Sequence, residues 1–302
     1  MRLVSFCRDG REGVGVLLDD DAVLDLSAVE HEVLAGRAGD MLSFIEGGKE
    51  TLSVARGLAA RPPAGAVAST QSLVLLAPVP RPRRNVFCVG RNYFDHVKEG
   101  DRAQGREMAG IPEWPQFFTK APQSVVGPGA DIPDHAQVTS ALDYEAEMAL
   151  VIGKRGVDIP AERALEHVYG WTIANDVTAR DVQRRHVQFF KGKSLDGSCP
   201  LGPWIVPAQD LDASDLAIRL WVNGELRQDS RTSRMIFDVP AIIAQLSAGM
   251  ALEPGDIILT GTPEGVGYAM KPPRALKAGD RIDIEIEGIG RLANAVAGAS
   301  PR

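Results

Sequence analysis

Residues 142–153, LDYEAEMALVIG, place an acid at every second position and then run apolar without interruption. Alternate side chains of a strand share a face, so Asp143, Glu145 and Glu147 point one way while Tyr144, Ala146 and Met148 point the other. Three carboxylates on an inward face raise one another's pKa, and each must be desolvated, so such a face requires positive charge. A divalent cation that takes hard oxygen ligands, Mg²⁺ or Mn²⁺, resolves the repulsion. A solvated edge strand with its acids outward fits the same residues, and the choice falls to the rest of the chain.

The 302 residues carry 33 Lys and Arg against 40 Asp and Glu, a formal net charge of −7. A nucleic-acid binder concentrates basic charge against phosphates, so this balance points to small metabolites instead. The 44% hydrophobic content is ample for a core, and the length suits a small domain plus a larger one. There is no apolar run long enough to span a bilayer, and MRLVSFCRDGREG lacks the apolar stretch of a secretory signal. A soluble, cytoplasmic chain with no membrane contact is expected. Cys7, Cys88 and Cys199 are widely spaced without a CxxC pair, which reads as reduced core residues rather than disulfides or a zinc site.

Residues 1–70 read as a small α+β unit. Strands over 3–6, 13–18 and 22–26 are separated by RDGREG and DDD, and helices over 28–35 and 49–59 follow. The proline-rich ARPPAG and APVPRPRRN suit an extended linker, leaving 71–302 as the second domain. There NVFCVG is a strand, RNYFDHVKEG begins a short helix, and the charged EGDRAQGREMAGIPEWP is either a surface loop or a mobile lid. PAERALEHVYG has the proline and glycine of helix ends, and GWTIANDVTARDVQ is an apolar strand ending in Asp176. Asn223 and Gly224 between two alternating runs signal a hairpin. A helix over 240–248 and two closing strands complete the chain. Strands dominate, so the fold class is mainly β (α+β), a sandwich roll or barrel-like catalytic domain rather than a parallel α/β sheet.

Asp176, ending an apolar strand, can bring a third carboxylate to Glu145 and Glu147. A metal held by these three keeps half its octahedral positions open for water or substrate. Asp176 equally suits an N-cap for the TARDVQ segment, and Asp181 reads as a structural or surface acid. His96 and Glu99 lie three apart on a predicted helical turn, where the carboxylate would fix the imidazole tautomer and raise its basicity. An exposed histidine on a surface turn is the plainer alternative. His31, His135, His167 and His186 have no such partner and read as surface residues. Lys120 and Lys193 each follow aromatic-rich segments, placing them either near a buried anion or in solvent. ILTGTPEGVG offers small residues for close backbone approach, with Thr260 and Thr262 as hydroxyl donors. It lacks the GKS or GKT of a phosphate loop, and no GxSxG, HExxH or GxGxxG appears.

Six motifs occur in order across about residues 85–270: VGRNYFDHVKE, LDYEAEMALVIGK, ANDVTARDVQ, KGKSLDGSCPLGP, VNGELRQDS and GDIILTGTPEGVG. With them the chain resembles the fumarylacetoacetate hydrolase family, of the longer bacterial type with a small N-terminal domain. The resemblance implies that Glu145, Glu147 and Asp176 bind Mg²⁺, Mn²⁺ or Ca²⁺, with Asp143 as a supporting acid. It implies that His96 and Glu99 form the catalytic dyad on a lid segment and that Lys193 lies near the metal. Gln183 and Thr262 are implied to contact substrate, with Lys120 and Arg91 as further substrate-binding candidates. A homodimer is also implied. The insert EGDRAQGREMAGIPEW is longer than in compact members, and its Arg102 and Arg106 are candidates for meeting a distal carboxylate.

The function expected on this basis is metal-dependent hydrolysis of the C–C bond of a 2,4-dioxo acid, an acylpyruvate or fumarylacetoacetate-like substrate. His96, assisted by Glu99, would activate water, and Lys193 would stabilise developing negative charge. Isomerisation, decarboxylation or tautomerisation of related oxo acids, such as 2-hydroxyhepta-2,4-diene-1,7-dioate or oxaloacetate, is the main alternative. A noncatalytic β-module that binds a metal or small ligand is the alternative of another class.

Overall fold

The computed structural model describes residues 1–298 apart from 106, 108 and 109. Its centre is the strand Ala146–Ile152, buried along its whole length. Met148, Leu150 and Ile152 enter one hydrophobic core, while Ala149 and Val151 enter another on the opposite face. Two covered faces are why the run is continuously apolar instead of alternating. Each fully buried Leu or Ile here contributes roughly 1.5–3 kcal/mol of transfer free energy.

Val168–Asn175 pairs antiparallel with this strand on one side and Ile257–Leu259 on the other. Beyond Val168–Asn175 the large sheet continues through Cys199–Pro207, Arg2–Arg8, Arg11–Leu17, Ala22–Asp25 and Val67–Ser69. Beyond Ile257–Leu259 come Val86–Gly90, parallel to it, and Gln116–Lys120 at the edge. A five-stranded sheet, Glu225–Arg231, Ala217–Val222, Arg281–Ile286, Gly290–Ala297 and Asp131–Pro133, covers one face with Ile218, Leu220, Ile284 and Leu292. The result is mainly β, with mixed sheets arranged as a roll. Among the described residues the sheets do not close into a barrel.

The large sheet crosses residue 70 without a break, because Leu3 pairs with Ile205. Leu3, Val14, Leu24, Phe44 and Ile45 share a core with Ala149, Ile205 and Leu259. The N-terminal strands lie where the sequence places them, but the helix expected over 28–35 does not form. Only a 3-10 turn, Leu26–Ala28, precedes a run of turns in which Gly36 adopts φ +71°. The helix starts later, as Met41–Glu46, because Asp40 caps it by accepting from Leu42 N at 3.2 Å and Ser43 N at 2.9 Å. Gly48–Ala60 follows. The PAERALEHVYG segment is a 3-10 helix, Ala161–His167. The Asn223–Gly224 hairpin forms, with both residues at positive φ as a type I′ turn needs.

Candidate active site and metal centre

The acidic strand is two strands. Leu142–Asp143 pairs with Thr178–Ala179, whereas Ala146–Ile152 pairs with Val168–Asn175, and the chain breaks its pleat between them. That break turns the three acids from one shared face toward different partners. Glu147 stays in the strand. Glu145 sits in the gap, where its N–H donates to the Asn175 side chain at 3.0 Å and its carbonyl accepts from Asp176 N at 2.9 Å. These two bonds set Asp176 beside Glu145 at the end of its strand. Oxygens of Glu145, Glu147 and Asp176 then lie within 4.8 Å of one another, all three residues buried. Asp176 caps no helix, since the next one begins only at Arg180.

Three cations surround the trio. Lys193 Nζ donates to Glu145 Oε2 at 2.7 Å and to Asp176 Oδ2 at 2.6 Å. Lys120, fully buried, donates to Asp176 Oδ1 at 2.7 Å and to the Val177 carbonyl at 3.1 Å. Arg180 pairs with Glu145 Oε1 at 2.7 Å and donates from Nε to Asp143 Oδ2 at 2.9 Å, with the Tyr268 ring 4.4 Å from its guanidinium carbon. Asp143 also accepts from Gly267 N at 2.8 Å and Tyr268 N at 3.1 Å, so it anchors the glycine-rich loop and holds Arg180 without joining the trio.

Four buried carboxylates, Asp143, Glu145, Glu147 and Asp176, thus face three cations. Burial alone would push Glu145 up, but the charges of Lys193 and Arg180, helped by His96, hold it well below the usual carboxylate range. Glu147 has no ion pair among the described residues and accepts from Gly261 N at 2.5 Å. Burial, then repulsion by Asp176 and Glu145, pushes it well above its ordinary value. Gly261 can approach this closely because it adopts φ +97° and a Cβ there would meet the Asn92 Cβ at 2.7 Å. Four buried carboxylates against three cations leave one charge uncompensated, at Glu147, and the trio that contains it fits a hard divalent cation. Two further buried polar atoms, Arg180 Nη2 and Tyr93 Oη, have no hydrogen-bond partner among the described residues, which suits oxygen atoms of a small acid.

The dyad residues are brought together on the helix Phe94–Ala103, where His96 Nδ1 lies 2.9 Å from Glu99 Oε1. Glu99 Oε2 accepts from Gly265 N at 2.9 Å, tying the helix to the glycine-rich loop. Arg91, just before this helix, has its guanidinium on Asp101. Thr262 Oγ1 accepts from Gln228 Nε2 at 2.9 Å, and Gln183 is half-buried on Arg180–Arg185, beside Gly192. Arg102 is exposed in the last turn of the dyad helix, and Arg106 lies outside the described residues. Thr260 donates to the Met148 carbonyl, so its hydroxyl is structural. Asp181 accepts from Thr139 and Ser140, a structural acid. His167 is not a surface residue: it is buried, with Nδ1 2.9 Å from the Lys154 carbonyl.

Sequence reasoning missed Arg180, Asn175 and Gln228. Arg180 lies within a quoted motif, and the need to neutralise Asp143 was the signal for it. Gln228 also lies within a quoted motif, VNGELRQDS, but its amide spans Ala146 N, Thr262 Oγ1 and the Pro263 carbonyl, partners far away in sequence.

The chain is 46% identical over 292 residues to the oxaloacetate tautomerase YisK of Bacillus subtilis (strain 168), covering 94% of this chain and 95% of that protein. Among solved structures it resembles a fumarylacetoacetate hydrolase from Exiguobacterium antarcticum, with TM-score 0.80 and 44% identity over 99% of this chain and all of that one. It also resembles maleylpyruvate hydrolase from Sphingobium sp. SYK-6 in complex with manganese(II) and pyruvate, with TM-score 0.77 and 29% identity over 99% and 100% of the two chains. The model of the fumarylacetoacetate (FAA) hydrolase C-terminal domain matches residues 85–297. With that match over most of its length, the chain belongs to the fumarylacetoacetate hydrolase family.

Proposed function

We propose that this chain is a divalent-metal-dependent tautomerase that moves a proton at C3 of a short 2-oxo acid of the oxaloacetate type. The observation that carries the reading is the fixed dyad beside the carboxylate trio. Glu99 is held at both oxygens, so the Nδ1–H of His96 donates to it and Nε2 is left as the free base. Bound by Glu145, Glu147 and Asp176, Mg²⁺ or Mn²⁺ would supply Lewis-acid polarisation of the substrate's 2-oxo group.

His96 takes the C3 proton, and the electron pair of that C–H bond moves toward the 2-oxo oxygen. Lys193 uses two of its three protons on Glu145 and Asp176, which leaves one for the developing negative charge. Arg180 Nη2 and Gln183 are assigned to the substrate carboxylate, with Thr262 at the loop side. Returning the proton from His96 to oxygen gives the enol, and the reverse path gives the keto acid. The Bacillus subtilis tautomerase, similar along nearly the whole chain, supports this reaction over the hydrolysis expected first from the sequence.

Hydrolysis of an acylpyruvate is the second reading, supported by the likeness to the maleylpyruvate hydrolase that binds manganese(II) and pyruvate. In it the same dyad would deprotonate water instead of carbon. The two separate in one experiment: enol-oxaloacetate and a panel of acylpyruvates are incubated with Mg²⁺ or with chelator, and enol absorbance and pyruvate release are followed. We expect metal-dependent loss of the enol without pyruvate formation, abolished in His96→Asn. Pyruvate release from an acylpyruvate with no acceleration of enol decay would overturn the assignment in favour of hydrolysis.

A further inference from the structure

We propose that Arg91 is a positioning residue, a latch that holds the dyad helix against the site, rather than a substrate contact. This rests on reading His96 and Glu99 as the dyad. The helix Phe94–Ala103 is ten residues long and buries only His96, Val97, Gly100 and Asp101. A helix this short is marginal on its own, so its position is set by its tertiary contacts, at its ends as well as at Glu99.

The near end is fixed by Asn92, fully buried. Its side chain accepts from Phe237 N at 2.8 Å and donates to the carbonyls of Phe237 at 3.0 Å and Thr260 at 2.7 Å. The far end carries Asp101, 2% exposed, and a carboxylate buried to that degree requires a charged partner. Arg91 is one such partner, reaching across ten residues: Nη1 donates to Oδ1, and Nη2 to Oδ1 and Oδ2, all at 3.1 Å. To aim the fork this way, Arg91 adopts φ +56°, a left-handed conformation that a residue with a Cβ avoids and that persists only where surroundings dictate it.

The helix runs unbroken between the two anchors. Together with the bond from Gly265 N to Glu99, the pair Arg91–Asp101 therefore holds His96 toward the carboxylate trio. The Arg91 side chain is 26% exposed, so water reaches one side of the pair and it can open. A pair of this kind can hold a closed helix and still release it for substrate entry and product exit.

The test uses the Mn²⁺-loaded protein with Arg91→Ala, Arg91→Lys, Asp101→Ala and the double Ala variant. Hydrogen exchange of peptides within 94–103, Mn²⁺ affinity, and kcat and KM for enol-oxaloacetate are measured. A latch predicts faster exchange confined to the dyad helix and a kcat lowered by about tenfold or more, as expected when the competent state becomes a minor population. It further predicts unchanged Mn²⁺ affinity and a double variant no worse than either single one. Arg91→Lys, which keeps the charge and loses the fork, should fall between wild type and Arg91→Ala. Wild-type exchange in Arg91→Ala would overturn the proposal. So would a rise in KM alone in that variant beside a normal Asp101→Ala, the mark of a direct substrate contact. Exchange and Mn²⁺ binding need no turnover, so failure of the tautomerase reading leaves the latch decided separately.

Discussion

Lys120→Met tests how the site balances its charge. Lys120 is fully buried, with its ammonium on Asp176 Oδ1 and the Val177 carbonyl. Methionine keeps most of the apolar stem, so the change removes one positive charge and two hydrogen bonds without opening a large cavity. Removing one partner of a buried ion pair costs roughly 3–5 kcal/mol. For a chain of 302 residues this lowers the Tm of the metal-free protein by about 5–8 °C, using the typical unfolding entropy per residue. The same substitution raises the charge deficit beside Glu145, Glu147 and Asp176, and a unit cation at this range repels a divalent ion by several kcal/mol. Mn²⁺ should therefore stabilise the variant more than wild type, closing at least half of the Tm gap. Scanning calorimetry in chelator and in saturating Mn²⁺ measures both numbers. A metal-free Tm equal to wild type, or a gap that stays open when Mn²⁺ is added, would refute the argument that Lys120 and the metal share one charge balance.

Two other substitutions probe the scaffold. Gly265 donates to Glu99 from φ +101°, and a Cβ there would lie 2.0 Å from the Arg227 carbonyl oxygen, so Gly265→Ala should displace the loop, release Glu99 and reduce kcat far more than Mn²⁺ affinity. Steady-state kinetics with parallel Mn²⁺ titration checks this, and a normal kcat would remove Gly265 from the dyad's support. Asp40→Ala deletes the cap of Met41–Glu46 and should cost about 1 kcal/mol. Burial alone would push the Asp40 carboxyl up, but the Ser43 hydroxyl and the Ser43 and Leu42 N–H groups draw it below its ordinary value. Because the folded pKa is depressed, this stability is complete above the unfolded carboxyl pKa and is lost as pH falls through the folded one. Denaturant melts of the two proteins should therefore differ at neutral pH and converge in acid.

Much of the candidate site's clustering was legible because its residues sit on features with strong local signals. Glu147 lies in an apolar strand where a carboxylate has no innocent explanation, and Asp176 follows an apolar strand directly. His96 and Glu99 are i and i+3 on a helix, a separation that puts them in reach whatever the tertiary fold. The hairpin at Asn223 and Gly224 follows from backbone chemistry alone. What could not be read is what depends on distant pairing. The break at Tyr144 and Glu145 exists because two halves of one stretch pair with different strands, and strand partners are not encoded in the stretch itself. The helix expected over 28–35 lies instead at Met41–Glu46, where the Asp40 side chain caps the start.

The opening pattern of acids and the final site differ in one instructive way. Read as a single rake, Asp143, Glu145 and Glu147 form a set of equals awaiting one cation. In the fold they are sorted by partner: Asp143 is neutralised by Arg180 and two loop amides, Glu145 is shared between Arg180 and Lys193, and Glu147, among the described residues, has the Gly261 amide and no ion pair. Arg180 couples the first two, so the glycine-rich loop, through Asp143, is mechanically tied to a carboxylate of the trio. The dyad is tied to the same loop through Glu99 and Gly265. One loop, 260–268, thus bears on both the carboxylates that suit a metal and the base that suits a proton. This gives a physical reason for its glycines: the loop must bring backbone N–H groups to three acids, Glu99, Asp143 and Glu147, within a few residues, and a Cβ at Gly261, Gly265 or Gly267 would meet a neighbouring atom at 2.7 Å or less.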